Sequence, residues 1–179
     1  MKSAKNASST DTVRLDAVRT EDLELLYEWI NDRETVVFNS PYSPVHFRNH
    51  LDWFEQVRRR DDLVLFAIRA DGRLVGTCQL HDIHVLHRSA ELQIRIGSRI
   101  DRGKRYGTAA VSQLVRFGFR DRNLNRIGLH VLADNAAAIR LYVRAGFREE
   151  GRLREAAFID GAFKDLILFS VLRSEFEGR

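Results

Sequence analysis

The most constraining feature of this sequence is a strand-like segment that runs through a basic, glycine-containing loop into an amphipathic helix. Apolar residues at 90, 92, 94 and 96 alternate with polar residues, which is typical of a β-strand. A loop over 101–105 follows, and the next fifteen residues, about Tyr106 to Arg120, carry apolar side chains at helical spacing. A strand that turns into a helix in this way predicts a sheet with helices on its faces.

The flanking segments extend this unit into a complete domain. The residues Asp71-Gly72 separate two strand-like runs and are typical of a two-residue hairpin turn. The predicted order is β-α-α-β-β-β-α-β-α-β-β, an α/β (α+β) fold with a mixed, mostly antiparallel twisted sheet of about seven strands and about four helices. The other predicted elements are a strand Val13–Ala17, a helix Thr20–Ile30, a loop 39–44, a helix His46–Arg59, strands Leu63–Ala70 and Arg73–His81, a strand around 127–131, a helix Asn135–Ala145, and strands Phe147–Leu153 and Phe158–Leu172.

Length and composition bound the domain organisation. The chain has 179 residues, of which 44% are hydrophobic and 30% charged, as in a single globular domain. Residues 1–11 are small and polar and are predicted to form a disordered tail, whereas residues 12–179 contain no repeat or linker and are predicted to form one domain.

The apolar runs and the cysteine content indicate where in the cell the protein is expected. The longest apolar run, Leu63–Ile68, is far shorter than a membrane span, and the N-terminus carries no apolar signal core. Cys78 is the only cysteine, so an internal disulfide and a thiolate zinc site are excluded. We therefore expect a soluble, cytoplasmic protein without membrane association.

The basic surplus is small but locally concentrated. The net charge is +4, which suits an anionic ligand, and most basic residues alternate with acidic ones. A nucleic-acid partner is therefore not expected, since it calls for a continuous basic stripe. The cluster Arg102-Gly103-Lys104-Arg105 instead precedes a predicted helix, where unpaired amides and the helix dipole favour anions.

A second motif lies about thirty residues further along. Residues 135–147 follow the pattern N-x-x-A-x-x-L-Y-x-x-x-G-F. Asn135 is predicted to cap a helix and Gly146 to end it in the left-handed conformation.

Together, and in this order, the two motifs resemble those of the GCN5-related N-acetyltransferase (GNAT) family, in particular the branch that contains ribosomal-protein and spermidine acetyltransferases. The resemblance covers almost the whole chain after the tail and implies acetyl-CoA as cosubstrate, with no metal. It implies that the loop amides hold the pyrophosphate of acetyl-CoA, that the strand backbone and Asn135 contact its pantetheine arm, and that dimers form. The implied cofactor-binding residues are Ile94, Arg95, Ile96, Arg102, Gly103, Lys104, Arg105, Tyr106, Gly107, Thr108, Asn135 and Tyr142.

Arg105 departs from the family pattern, which has glycine at this position of the loop. If the backbone needs a positive φ here, arginine is strained by about 1–2 kcal/mol. We expect its side chain to contact phosphate; the alternative is that it obstructs the loop. An obstructed loop would fit a second functional class, a non-catalytic acyl-CoA-binding module.

The resemblance also suggests the catalytic residues. Tyr142 matches the family's frequent general acid, and a phenol suits protonation of a leaving thiolate. Glu91 is the leading general base, since its strand matches the family's fourth strand and the amine must lose a proton to attack. The alternatives are that Tyr142 is a buried aromatic residue and Glu91 a surface carboxylate.

The acceptor is predicted from the N-terminal half. Segments W-x-N and H-x-x-W-F look like those of GNAT enzymes that acetylate amino sugars on nucleotide carriers, so an amino sugar is the leading prediction. A polyamine remains open, because the strand around Glu91 and the segment 151–164 look like those of spermidine acetyltransferases. Protein N-termini and antibiotic amines also remain open. The predicted acceptor residues are Trp29, Asn31, Phe38, Trp53, His81 and His84.

A metal site is not expected, because histidines spaced by three along a strand point to opposite faces.

Overall fold

The computed structural model describes residues 13–38 and 40–177, so the predicted tail over 1–11 lies outside the described residues. The strands are β1 (Val13–Ala17), β2 (Val64–Ala70), β3 (Arg73–His84), β4 (Ser89–Ile96), β5 (Arg126–Leu132), β6 (Arg148–Ile159) and β7 (Ala162–Leu172). The helices are α1 (Leu23–Asn31), α2 (Arg33–Val36), α3 (Phe47–Val57), α4 (Tyr106–Arg120), α5 (Ala136–Ala145) and α6 (Arg173–Glu177).

The seven strands form one sheet in the order β1-β2-β3-β4-β5-β7-β6. All neighbours are antiparallel except β4 and β5, which run parallel because α4 crosses over between them. The parallel pair therefore lies in the middle of the sheet, with an antiparallel wing on each side. This confirms the predicted mixed, mostly antiparallel fold.

Helices cover both faces of the sheet. On one face, Val111 and Leu114 of α4 are fully buried in the main core, together with Ile68 of β2. The adjacent Ala67 points to the other face, into a smaller cluster with residues of α1 and α3. The sheet is thus a wall between an α4–α5 layer and an α1–α3 layer.

Two Asp-Gly turns show where the predicted strand boundaries are right and where they are wrong. Asp71 and Gly72 have φ values of 51° and 80°, which confirms the predicted hairpin. The same Asp-Gly signal recurs at Asp160 and Gly161, with φ values of 53° and 78°, and ends β6 there. The predicted strands Phe147–Leu153 and Phe158–Leu172 are therefore wrong at their shared boundary, since Phe158 belongs to β6.

Other elements differ less from the prediction. Strand β3 extends to His84, three residues beyond the predicted end, and the short helices α2 and α6 were not predicted. Among the described residues, none of the helices is long and apolar enough to span a membrane.

Candidate active site

The sheet opens between its two parallel strands. Pairing of β4 with β5 ends at Glu91 and Gly128, although the strands continue to Ile96 and Leu132. Beyond this point β4 pairs, among the described strands, only with β3, and the gap on its β5 side is a place where an amide-containing ligand could lie along the strand. The opening includes Ile94–Ile96, the part of the strand whose backbone the family resemblance assigns to the pantetheine arm.

Two clefts meet at this opening. The first, about 530 Å³, lies between α1, α3 and strands β2–β4; we call it the aromatic cleft because Trp29 and Trp53 line it. The second, about 440 Å³, lies between the 101–108 loop, α4 and α5. We call it the arginine cleft because five arginines line it: Arg95, Arg102, Arg105, Arg140 and Arg144. Ile94 and Arg95 line both clefts, so β4 forms their common wall.

The arginine cleft has a net positive lining. Its one carboxylate among the described lining residues, Asp101, has a fully buried side chain. Both oxygens of Asp101 accept hydrogen bonds from Arg73, at 2.8 and 2.7 Å, and Lys104 Nζ lies 3.3 Å from Oδ1. These partners lower the pKa of Asp101, with the Arg73 hydrogen bonds as the main cause. Asp101 is therefore neutralised within the fold, and the arginines set the charge of the cleft.

The backbone of the loop adopts the left-handed conformation twice. Gly103 has a φ of 77° and Arg105 a φ of 65°, and Arg105 is the N-cap residue of α4. The positive φ considered for Arg105 is thus present, and the arginine side chain is among the residues that line the cleft. Arg102 also lines the cleft; its guanidinium donates a 3.1 Å hydrogen bond to Thr35 Oγ1 and lies 5.0 Å from the ring centre of Phe38.

The remaining loop residues divide into two groups. Gly107 and Thr108 line the cleft, whereas Lys104 points to Asp101 and Tyr106 packs against the main core. A side chain at Gly107 would approach Leu141 to 2.9 Å, so glycine permits the close packing of α4 on α5. The structure thus places Lys104 and Tyr106 outside the cleft lining, contrary to the sequence prediction.

Glu91 lies at the closed end of the opening. Its half-buried carboxylate is 3.6 Å from Nδ1 of His130 on β5, and His81 is its cross-strand partner on β3. Burial raises the pKa of Glu91, while His130 is the first of the neighbours that oppose this rise. A carboxylate with a raised pKa beside an imidazole is suited to accept a proton. His130 was missed in the sequence because its partner lies on a neighbouring strand.

Tyr142 lies on α5 in the wall of the arginine cleft. Its side chain is 7% exposed and its ring packs edge-on against Phe147. Burial raises the pKa of Tyr142 to about 12, so the phenol is protonated at neutral pH. No other described residue is hydrogen-bonded to its hydroxyl. Asn135 lines the same cleft and caps α5, since its Oδ1 accepts a hydrogen bond from the amide of Ala138 at 3.1 Å.

Comparison with known proteins agrees with this geometry. Residues 12–148 match the acetyltransferase (GNAT) domain family. The chain belongs to the GNAT family. It is 30% identical to spermidine N(1)-acetyltransferase of Vibrio cholerae over 167 residues, covering 92% of this chain and 95% of the relative. It is also 30% identical to the putative ribosomal N-acetyltransferase YdaF of Bacillus subtilis over 174 residues, covering 94% and 89%.

A solved structure shows the same fold. The spermidine N-acetyltransferase of Vibrio cholerae, crystallised with CoA and spermine, superposes with a TM-score of 0.85 at 29% identity, covering 93% of this chain and 99% of that one. These findings confirm the GNAT resemblance and identify this chain as an N-acetyltransferase.

In this GNAT enzyme, only two of the six predicted acceptor residues line the aromatic cleft. Trp29 does so while packing on Gly97, and Trp53 does so while stacking on His50 at 5.3 Å. Asn31 instead closes a loop: its side-chain oxygen accepts from the Val45 amide at 2.8 Å, and its nitrogen donates to the Val45 carbonyl at 3.1 Å. In this structure both ends of the Asn31 side-chain amide therefore contact the backbone of the fold.

The other three predicted acceptor residues lie elsewhere. Phe38 lines the arginine cleft, on the opposite side of the wall from the predicted position. His81 lies beside Glu91 and is hydrogen-bonded to Asp82 at 2.8 Å. His84 is remote from both clefts and stacks on His87 at 4.1 Å. The spacing predicted that His84 and His87 point to opposite faces of a strand. That prediction is wrong, because β3 ends at His84 and strand alternation does not continue through the turn.

Cys78 contributes no nucleophile. Its side chain is buried, and burial raises the pKa of the thiol well above its ordinary range. Because the thiolate is the reactive form, this cysteine is inert at neutral pH although it lines the aromatic cleft.

Proposed function

We propose that this GNAT enzyme transfers an acetyl group directly from acetyl-CoA to a primary amine of a small molecule, with Glu91 and Tyr142 as base and acid. The main support for this proposal is the opening between β4 and β5. Glu91 lies at its closed end, and the aromatic cleft and the arginine cleft meet there. This arrangement supports an amine on one side of the sheet and acetyl-CoA on the other.

The chemistry of the arginine cleft fits acetyl-CoA. Its lining offers arginine side chains to phosphate groups, and the N-terminal amides of α4 lie at the same place. Where its pairing with β5 has ended, the edge of β4 faces the opening, and this position suits backbone contacts with the amides of the pantetheine arm. Arg140 and Arg144 extend the phosphate-binding surface along α5; their spacing of four residues on a predicted helix is the signal that could have revealed them.

The two titrating residues divide the proton transfers. Acetyl-CoA supplies a thioester whose carbonyl carbon an amine can attack. The attacking nitrogen must first hold a lone pair, and Glu91, supported by His130, accepts the proton that the amine loses. The nitrogen–carbon bond forms, the carbon–sulfur bond breaks with its electron pair going to sulfur, and the Tyr142 hydroxyl donates a proton to the departing thiolate. The inert Cys78 favours this direct transfer over an acyl-cysteine route.

The acceptor class is assessed from the relatives and from the cleft. The relatives named as spermidine acetyltransferases support the polyamine alternative over the amino sugar predicted from the sequence. Polyamines are therefore the first acceptors to test. The described lining of the aromatic cleft argues against them, because it contains no carboxylate and a polycation would require one.

Release of CoA thiol tests the proposal. We expect thiol release from acetyl-CoA to be stimulated by at least one amine in a panel of polyamines, amino sugars, their nucleotide-linked forms and N-terminal peptides. Tyr142→Phe should lower kcat by roughly 10- to 1,000-fold with little change in acetyl-CoA affinity, because the ring packing is kept and only the acid is lost. CoA binding without stimulation by any amine would instead indicate a non-catalytic acyl-CoA-binding module.

A further inference from the structure

One buried polar group is not explained by the roles assigned so far. In the described part of the chain, the Nε atoms of Arg69 and Arg95 are shielded from solvent and have no hydrogen-bond partner. The charge of Arg69 is balanced by an ion pair with Asp22 at 2.7 Å, which leaves Arg95. Among the described residues, no carboxylate pairs with this guanidinium, and Arg95 is the one lining residue with a charged side chain that both clefts share. Burial without a partner is costly for arginine, which stays charged at all physiological pH values.

The second arginine of the aromatic cleft is in a different situation. Arg60 forms a two-point ion pair with Asp62, at 2.8 and 2.7 Å, and its charge is already balanced at the rim. The other polar groups of the lining are neutral; Gln79 and Gln93, for example, are hydrogen-bonded to each other at 2.7 Å. Burial lowers the pKa of His50, whose Nε2 is hydrogen-bonded to the Leu23 carbonyl, so His50 is neutral too.

The position of Arg95 on β4 points to the acceptor. Arg95 lies on the same strand face as Glu91 and Gln93, at alternate positions along β4, and this face looks onto the α1–α3 layer. The arginine cleft has four other arginines for phosphates, whereas the aromatic cleft has only Arg95 as an unbalanced charge. Arg95 lies four residues from Glu91 along this face, so an amine that extends from Glu91 along β4 into the aromatic cleft would direct its other substituents towards Arg95.

We infer that Arg95 selects an acceptor that carries an anionic group, a carboxylate or a phosphate, in addition to its primary amine. The planar guanidinium can bind either group through two parallel hydrogen bonds, and the bound anion would satisfy the buried Nε. This inference rests on the proposed function and separates this enzyme from its polyamine-acetylating relatives. A polyamine would place further positive charge next to an arginine that has no counter-ion.

Matched amines test the inference in the wild-type enzyme. The carboxylate pair is 4-aminobutyrate with 4-amino-1-butanol, and the phosphate pair is glucosamine 6-phosphate with glucosamine, with spermidine as the polycation. We expect kcat/KM for at least one anionic member to exceed that of its neutral partner and of spermidine by roughly 10- to 100-fold, as for a charged hydrogen bond. The two pairs distinguish a carboxylate from a phosphate as the recognised group. Faster turnover of spermidine than of both anionic amines would overturn the inference and leave the acetyltransferase proposal intact.

Variants of Arg95 test whether this residue causes the preference for anionic amines. Arg95→Gln should abolish the preference for the anionic amine, Arg95→Lys should retain part of it, and the exposed Arg116→Gln is the matched control that should leave it unchanged. Weaker CoA binding in Arg95→Gln, with the amine preference intact, would assign Arg95 to the cofactor and refute the inference.

A binding readout separates the two proposals. Calorimetric titration of the same amine pairs into the CoA-saturated protein should show the anionic preference in the wild type and its loss in Arg95→Gln. If no amine stimulates thiol release but this preference is measured, the proposed reaction fails and the anion site stands. Equal binding of charged and neutral amines refutes the anion site.

Discussion

Glu91 is the residue whose environment is most specific for proton transfer. Burial raises its pKa above the ordinary value of 4.5, and in the proposed reaction the deprotonated carboxylate accepts a proton from the amine. Activity is therefore expected to fall as the pH is lowered through this raised pKa. Glu91→Gln should lower kcat/KM by roughly 100- to 10,000-fold at neutral pH and remove this acid limb.

The pH dependence of kcat/KM from pH 4.5 to 8 checks this expectation. The control is Glu24→Gln on the exposed face of α1, which should keep both the rate and the acid limb. An acid limb that persists unchanged in Glu91→Gln would assign the base to another group.

Arg105 allows the cost of a strained backbone to be separated from the gain of a phosphate contact. Its φ of 65° favours glycine, so Arg105→Gly should relieve strain and raise the free energy of unfolding by up to about 1 kcal/mol. The same change removes an exposed arginine from the cleft, and CoA affinity should fall by roughly 3- to 10-fold. Chemical denaturation and calorimetry with CoA measure the two effects; higher CoA affinity would show that Arg105 obstructs the loop.

At the residue scale, the sequence was informative where a residue acts through its local pattern. Gly103, Asn135 and Tyr142 lie in the arginine cleft because motif and backbone geometry coincide there. His130 and the orphaned Nε of Arg95 depend on contacts between elements distant in sequence, which no local pattern specifies. The contact of Asn31 with Val45 could not be predicted for the same reason, since Val45 lies in a different segment of the chain.

At the scale of elements, the basic loop is held to the sheet by a single buried carboxylate. Arg73, the first residue of β3, bonds both oxygens of Asp101 and thereby ties the loop to the Asp71-Gly72 hairpin. Asp101→Asn should destabilise the fold by about 1–3 kcal/mol at neutral pH, since it removes a charged, two-point hydrogen bond. It should also raise KM for acetyl-CoA more than it lowers kcat, because it loosens the loop and leaves Glu91 in place.

The stability effect has a defined pH dependence. The pKa of Asp101 is lowered in the fold, chiefly by Arg73, so its contribution is fully present above the unfolded value of 3.8 and is lost as the pH falls through the lower folded value. The stability difference between wild type and Asp101→Asn should therefore shrink below pH 3.8. Denaturant titrations from pH 3 to 7 measure it; a difference that grows towards low pH would contradict the assigned role.

Element boundaries could be predicted where turn residues and periodicity agree. Strands β1, β2 and β4 and helices α4 and α5 agree with the prediction to within about one residue because apolar periodicity and a cap or turn mark their ends. The β6–β7 boundary was missed although Asp160-Gly161 is an Asp-Gly turn, because the charged residues Arg154 and Glu155 interrupt the apolar pattern directly after Leu153. The opening between β4 and β5 could be expected only from the family resemblance.

At the scale of the whole molecule, part of the excess of basic residues is concentrated in the arginine cleft. The net charge of +4 is modest, yet five arginines line one cleft whose only described carboxylate is already paired. A ligand that fills this cleft and the opening would bridge the two wings of the sheet. Because such a ligand binds only the folded chain, it stabilises the whole domain by mass action.

Acetyl-CoA should accordingly raise the melting temperature. At a hundredfold excess over its Kd, the stabilisation of about 2.7 kcal/mol corresponds to an increase of roughly 5–10 °C for a chain of this size. S-acetylpantetheine lacks the phosphates and should give a clearly smaller increase at equal concentration. Added salt should reduce the acetyl-CoA shift more than the S-acetylpantetheine shift, since ionic strength screens the partly exposed arginines. Equal shifts by the two thioesters would show that the arginine cleft contributes little to binding and that the opening in the sheet carries the affinity alone.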